Sequence, residues 1–109
     1  MATIVLEPVH LNVPASATTF YTAFVNAASR ASLVSMTLTN TGSTDITVDI
    51  WYENSGATTL TYLAKTKTVP ALGNITWGGM DVIKSSSDKW RIQASATGVD
   101  LNAAISEVT

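Results

Sequence analysis

The sequence predicts an all-β protein, built as an antiparallel β-sandwich of about eight short strands. Apolar and polar residues alternate with a period of two over most of the chain, as expected for strands that bury one face. Clusters of Gly, Pro, Ser, Asn and Asp separate these runs. No segment carries an apolar stripe at helical spacing over several turns, which excludes architectures that alternate strands and helices.

Length and composition restrict the chain to one small domain with a largely neutral surface. Its 109 residues correspond to one typical domain, and only 13% of them are charged, against roughly 25% in an average soluble domain. A low charge density suits a protein that is permanently packed against other chains, although an ordinary β-rich domain also favours Thr over charged residues. The net charge of −2 argues against nucleic acid as a partner, because nucleic-acid-binding proteins normally carry a basic patch.

Cysteines and targeting signals are missing from the sequence. Without cysteine, the fold must be held by burial and not by disulfides. The N-terminal segment MATIVLEPVHLNVP has neither a basic leader nor a long apolar run, and no later stretch has the roughly 18 apolar residues that span a membrane. We therefore expect a protein that is made in the cytoplasm, is not secreted and has no membrane partner.

Residues 1–16 are predicted to form an extended N-terminal arm, and residues 17–109 a single β-sandwich domain. Pro8 and Pro14 each remove a backbone donor, so the segment is not expected to be a central strand. Its apolar residues have no common period that lets all of them face one core. The arm either runs along the edge of the sandwich or reaches a neighbouring subunit, and its candidate contact residues are Ile4, Leu6, Val9 and Leu11.

The stretch 33–53, LVSMTLTNTGSTDITVDIWYE, is predicted to be the central β-hairpin, because two period-two runs flank a polar turn. Trp51 is predicted to lie on its outer face between Asp49 and Glu53, where it is either exposed for a partner or covered by the arm. These three residues, with Leu63 on the polar side of the next strand, complete the candidate contacts. The core side of the hairpin is predicted to comprise Val34, Met36, Leu38, Ile46, Val48, Ile50 and Tyr52.

The remaining strands are predicted from shorter alternating runs. They cover residues 17–24, 60–69, 74–77, 80–83, 90–96 and 101–106. The last two are predicted to form a closing hairpin around Gly98. Tyr62, Trp77 and Trp90 are predicted to be core residues.

The sequence shows no recognisable catalytic or metal-binding arrangement. His10 is the single histidine and lies in the arm, far in sequence from any carboxylate pair. Asp49 and Glu53 share a strand face, but four residues of strand separate them by ~13 Å, too far for the carboxylate pair of a glycosidase. No serine lies in a Gly-x-Ser-x-Gly elbow, and no run of oxygen ligands suits Ca²⁺. We predict a protein without enzymatic activity, catalytic residues, cofactor or metal.

Three segments resemble a group of small virion proteins of tailed bacteriophages. They are ATTFYTAFVNAASRASLVSMTLTNTGSTDITVDIWY, TVPALGNITW and KSSSDKWRIQASATGVDLNAAISEV, which lie within residues 17–109. The order and spacing of an Asn-Thr-Gly turn, a Pro-Ala-x-Gly turn and an Asp-Lys-Trp-Arg strand entry carry the resemblance, since each motif alone is ordinary turn chemistry. The segment 25–30, VNAASR, departs from the short Val-Pro-Ala-Gly turn of the group.

The resemblance implies an immunoglobulin-like β-sandwich, and a jelly-roll-like arrangement of the strands is the alternative. It also implies a capsid decoration or cement protein on the outer surface of a phage head, a homotrimer that binds the major capsid protein and bridges its subunits. The alternative function is a tail-tip or fibre-associated module that uses Trp51 and nearby Thr and Asp residues to bind a host-surface glycan.

Overall fold

The computed structural model describes residues 3–26, 28–58, 60–77 and 82–109, with the backbone alone for Trp77. Nine strands lie among these residues, and they form two antiparallel sheets, which confirms the predicted all-β sandwich. The strands are β1 (Ile4–Val13), β2 (Thr18–Thr22), β3 (Arg30–Asn40), β4 (Ile46–Glu53), β5 (Leu60–Val69), β6 (Asn74–Trp77), β7 (Val82–Ile83), β8 (Lys89–Ala94) and β9 (Val99–Val108). The predicted strand over 80–83 is described only from Val82, and Met80 lies outside the described residues. The predicted burial of Trp77 likewise lies outside what is described, since its side chain is not part of it.

The order of the strands is that of a jelly roll. The first sheet runs β1-β9-β3-β6 with the short β7 also paired to β3, and the second sheet runs β2-β8-β4-β5. Most connections therefore pass from one sheet to the other, as in the double Greek key of jelly rolls. An immunoglobulin sandwich pairs its first strand with its second and places the third in the other sheet. The immunoglobulin-like form implied by the resemblance is thus wrong, and the jelly-roll-like alternative describes the topology.

The predicted central hairpin is wrong in its pairing, although both of its strands form. β3 lies between β9 and β6 in the first sheet, whereas β4 lies between β8 and β5 in the second. The segment 41–45 therefore crosses between the sheets, and the buried faces of the two strands meet across the core. Alternation defines which face of a strand is buried but not which strand lies beside it. The predicted closing hairpin fails for the same reason, because β8 and β9 also lie in different sheets.

Residues 4–13, in the predicted arm, run along the edge of the sandwich as β1, the first of the two alternatives. β1 pairs with β9 without interruption from Ile4 opposite Val108 to Val13 opposite Val99. Thr3 bonds to Thr109 through both its N–H and its carbonyl, so odd-numbered residues of this segment direct their backbone groups towards β9. The backbone nitrogen of Pro8, an even-numbered residue, therefore points away from β9 to the open edge. Its missing N–H costs the sheet no hydrogen bond there.

The core fills the space between the sheets and is centred on Trp90. This side chain is fully buried, as predicted, and its ring lies 5.2 Å from that of Tyr21 and 6.4 Å from that of Phe20. Tyr62, which the sequence also assigns to the core, is 46% exposed, because β5 shifts register against β4 beside it. Other fully buried side chains are Leu33, Met36, Leu38, Ile50, Ile83, Ile92, Leu101 and Ile105.

Asn40 holds the crossing between β3 and β4 in place. Its side chain is buried and donates from Nδ2 to the carbonyls of Thr44 (2.8 Å) and Val69 (3.1 Å). Its Oδ1 accepts from the N–H of Gly42 at 2.9 Å. Such side-chain bonds replace the backbone partners that the turn lacks. The Asn of the Asn-Thr-Gly motif therefore fixes how the chain passes from the first sheet to the second.

We expect Asn40→Ala to lower the free energy of unfolding by about 2–3 kcal/mol, because three hydrogen bonds of about 1 kcal/mol each are lost. Urea denaturation followed by tryptophan fluorescence measures the difference. Asn74→Ala is the matched control, since Asn74 is exposed at the start of β6 and its loss should cost less than about 0.5 kcal/mol. Equal losses in both variants would show that the crossing does not depend on Asn40.

Candidate assembly surface

The outer face of the first sheet carries an apolar patch. The pairings of β1 with β9, of β9 with β3 and of β3 with β7 align outward-facing residues of four strands. Neighbouring strands lie ~4.8 Å apart, so these side chains share one surface, in which Ser106 and Ser32 lie between Leu6 and Val82. We define the apolar patch by Ile4, Leu6, Val34, Val82, Ala104 and Val108. Exposed apolar surface bordered by polar residues is typical of interaction sites.

The larger members of the patch are open to solvent. Ile4 is 69% exposed, Leu6 63%, and Val34 and Val82 46% each. Ile4 and Leu6 are candidate contacts from the sequence, and the fold places them on the same sheet face as Val34 and Val82, with β9 between β1 and β3. Their contact with a partner stays a prediction.

Val34 joins the patch because of a β-bulge that the sequence pattern does not reveal. The register of β3 against β9 shifts between Leu33 and Ser35, so Val34 is an extra residue in the strand. Leu33 points into the core while Val34 points outward. The prediction that Val34 is a core residue is therefore wrong. Odd-numbered residues of β3 face the core before the bulge, and even-numbered residues face it after the bulge.

The outer faces of the two sheets differ in charge. Among the described strand residues, Arg30 and Asp100 are the only charged side chains on the outer face of the first sheet, near opposite ends of the β3–β9 pair. The outer face of the second sheet instead carries charges on three adjacent strands, namely Asp49, Glu53, Lys65, Lys89 and Arg91. Removing charged groups from water is costly, so the first sheet presents the face that a partner can cover more easily.

The edge strands carry features that hinder addition of a further strand. β1 contains Pro8, whose backbone nitrogen points to the open edge of the sheet, and β6 has only four residues. β2 and β5 contain register shifts, and β5 also carries Lys65 and Lys67. Proteins use proline, bulges, lysine and short strands to protect sheet edges. Association through a sheet face is therefore favoured over association through an edge.

Trp51 is covered, and its prediction as an exposed contact is corrected. It lies on the outer face of the second sheet as predicted, but it is only 7% exposed. The Tyr62 ring lies 5.8 Å from its ring, and the Arg91 guanidinium also lies 5.8 Å away. The indole N–H donates to Glu53 at 3.3 Å. Its cover thus comes from neighbouring strands of the same sheet and not from the N-terminal arm, since β1 belongs to the other sheet.

Glu53 is a buried member of this cluster and not an exposed contact. Its carboxylate lies 3.5 Å from Lys89 Nζ and 3.6 Å from Arg91 Nη1. Burial raises the pKa of Glu53, but the hydrogen bond from the Trp51 N–H and the positive charges of Arg91 and Lys89 lower it by more. The pKa of Glu53 therefore lies below its usual range. The carboxylate is therefore ionised at neutral pH and is satisfied within the chain.

Asp49 and Leu63 support β5 rather than an open surface. The Asp49 carboxylate accepts the N–H of Thr66 at 2.7 Å and lies 3.5 Å from Lys65 Nζ. Thr66 has a positive φ of 52° at a register shift, so Asp49 fixes a bulge. Leu63, at the second shift, packs partly against the core.

Val9 and Leu11 face inward and pack against the core, because they share the odd-numbered face of β1. Val9 lines a cleft of about 330 Å³ between β1 and β2, beside Glu7, Phe20 and Tyr21. Of the four arm candidates, Ile4 and Leu6 thus remain as outward-facing residues. All four are candidate contacts from the sequence, because the sequence does not show whether the odd-numbered or the even-numbered residues of this segment face the core.

A buried carboxylate fixes the loop between β2 and β3. Glu107 on β9 accepts the Tyr21 hydroxyl at 2.6 Å and the N–H groups of Val25 and Asn26 at 2.9 and 2.8 Å. Burial raises the pKa of Glu107, but these hydrogen bonds lower it by more, so that it lies below its usual range. Burial and the contact with Glu107 raise the pKa of Tyr21. Nothing in the alternating pattern marks Glu107, because its partners lie about 80 residues away.

The described residues show no arrangement suited to catalysis or metal binding. His10 Nδ1 lies 2.5 Å from Asn102 Oδ1, an amide and not a carboxylate. Among the residues described, no three His, Cys, Asp or Glu side chains are grouped so that they could hold a metal ion. No helix within the described part of the chain has the length and apolar character needed to cross a membrane.

No family model matches this chain, and no curated protein matches it. Solved structures share its fold. A subunit from "Bacillus endospore appendages form a novel family of disulfide-linked pili" is 20% identical with a TM-score of 0.58, and the match covers 98% of this chain and 89% of that one. The capsid of infectious bursal disease virus, Gx strain, is 13% identical with a TM-score of 0.57, over 98% of this chain and 32% of that one. The VP2 subviral particle of infectious bursal disease virus gives 12% identity and a TM-score of 0.53, with this chain spanning 32% of that one.

Proposed function

We propose that this protein is a non-enzymatic structural protein of a virion, which decorates a phage head and stabilises it by bridging capsid subunits. In this proposal the apolar patch on the outer face of the first sheet contacts the major capsid protein. The protein acts on the outer surface of the shell, and the homotrimer implied by the resemblance belongs to the same proposal. The observation that carries it is this solvent-exposed patch on a nearly uncharged sheet face.

Comparison with proteins of the same fold supports an assembled structural role. Both the pilus subunit and the viral capsid chain are built into larger particles, and each uses a sandwich of this fold. The present chain has no cysteine, so the disulfide linkage named for the pili is not available to it. Non-covalent burial must therefore supply the binding energy.

The size of the patch is consistent with weak individual contacts that add up on a shell. A stable interface between two proteins buries about 1,600 Å² in total, more than six side chains of this size provide. On an icosahedral shell, linked copies bind through many such contacts, and their effective affinity rises by multivalency. The glycan-binding alternative has less support, because the Trp51 ring is covered and cannot stack freely on a sugar.

We expect the double variant Leu6→Asp, Val34→Asp to lose head binding by more than tenfold, because each change places a charge that must be dehydrated in the contact. The measurement is co-sedimentation of purified protein with phage heads from the same source that have been stripped of accessory proteins. Both positions are exposed, so the thermal unfolding midpoint should change little.

Leu60→Asp is the matched control, because Leu60 is 51% exposed on β5 of the other sheet. It should bind heads as the wild type does. Absence of wild-type binding to heads would contradict the proposed function. Loss of binding in the Leu60 variant but not in the double variant would place the contact on the second sheet.

A further inference from the structure

Two positive charges lie side by side at one border of the apolar patch. Arg30 begins β3 opposite Val108, and Lys84 directly follows β7. The last rung of the β3–β7 pair joins Ala31 to Ile83, and Arg30 and Lys84 are the next residues on the two chain segments, so continuing the same register sets them opposite each other. Both side chains are exposed. The patch therefore has a cationic border on the side of Val82 and Val108.

Neither of these two side chains takes part in an ion pair within the described part of the chain. The ion pairs found there involve Lys65, Lys89 and Arg91 and include neither Arg30 nor Lys84. Glu107 lies opposite Ala31 on β9, but its carboxylate points inward and is bonded to Tyr21 and to two backbone amides. Like charges directly opposite each other destabilise a sheet. We therefore expect the pair to weaken the isolated fold slightly, in a chain whose net charge is negative.

We infer that the apolar patch and its cationic border bind an acidic protein surface, in which apolar residues lie beside Asp or Glu side chains. The inference rests on the proposed function and names the chemistry of the capsid surface that the patch contacts. Charge complementarity at the rim of an apolar contact fixes its orientation and speeds association. An acidic partner would also remove the repulsion between Arg30 and Lys84.

An anionic membrane fits these features less well than a protein. Proteins that recognise anionic lipids by charge normally use clusters of roughly four to eight basic residues. Segments that anchor a protein at the membrane interface commonly use Trp or Phe. The patch has a border of two cations, and its members are aliphatic. Vesicle binding is therefore an outcome of the test and not the proposal.

The test compares the double variant Arg30→Glu, Lys84→Glu with the control Lys65→Glu, Lys67→Glu on the opposite sheet. The first pair keeps two like charges opposite each other, so its stability should match that of the wild type. We expect it to bind stripped heads at least tenfold more weakly at low salt, while the control binds normally. Wild-type binding should weaken as the NaCl concentration rises from about 50 to about 500 mM, because salt screens rim charges.

The single variant Lys84→Glu separates folding from binding. The introduced carboxylate can pair with Arg30 within the chain, so the thermal unfolding midpoint of this variant should rise while its binding to heads falls. If wild-type protein binds heads and the Arg30/Lys84 variant binds equally well, the inference is wrong and the proposed function stands. If the wild type does not bind heads, both fail. Flotation of the wild type with phosphatidylserine-containing vesicles, lost in the Arg30/Lys84 variant, would overturn the protein partner in favour of a membrane.

Discussion

Glu107→Ala is expected to lower the free energy of unfolding by about 3–5 kcal/mol, because each donor that is left unpaired in the interior costs on the order of 1–3 kcal/mol. The Tyr21 hydroxyl and the N–H groups of Val25 and Asn26 all lose their acceptor. A domain of this size has a total stability of about 5–15 kcal/mol, so the variant should be partly unfolded at moderate temperature. Chemical denaturation at pH 7 measures the loss.

The same carboxylate should make the stability depend on acid. The pKa of Glu107 is lower in the folded chain than the value of about 4.3 expected after unfolding, so its contribution is fully present above that value and is lost as the pH falls through the folded pKa. Glu107→Gln keeps the side-chain size but cannot titrate. The free energy of unfolding of this variant should therefore decline less than that of the wild type below about pH 5. Glu53 also loses its stabilising charge in acid, but it does so equally in both proteins. Parallel curves for the two proteins would contradict this role of Glu107.

Trp90→Ala is expected to cost about 3–5 kcal/mol, because it removes a large aromatic side chain from the centre of the core and leaves a cavity. Trp90 is fully buried and lies against Phe20 and Tyr21 from β2. For a domain of about 100 residues, this loss corresponds to a fall in Tm of more than about 10 °C. Thermal unfolding followed by circular dichroism measures it.

Trp51→Ala is the matched control for Trp90→Ala. Trp51 is also largely buried, but it lies on the outer face of the second sheet, where water can replace the ring when it is removed. Its loss should cost about half as much as the loss of Trp90, since no closed cavity forms. A larger cost for Trp51 than for Trp90 would mean that the outer cluster, and not the space between the sheets, dominates the stability.

Local patterns predicted the strands well because alternation follows directly from the geometry of a strand. β4 and β5 occur at the predicted residues, and Ile46, Val48 and Ile50 face the core. The burial of Trp90 also follows from its place in an alternating run. The pattern failed at Val34, where a bulge adds one residue and reverses the parity of β3. It likewise did not reveal that Trp51 is covered, since its cover comes from β5 and β8.

The sequence by itself determined that this protein is an all-β sandwich with a low surface charge, because side-chain alternation and composition are properties of single segments. The tertiary structure decided which strands pair, and thereby replaced the predicted central hairpin with a crossing between the sheets. It also decided that Ile4 and Leu6 share one sheet face with Val34 and Val82, residues far from them in the chain. The physical reason is that strand pairing depends on the shared burial of all the strands at once, which no single segment encodes.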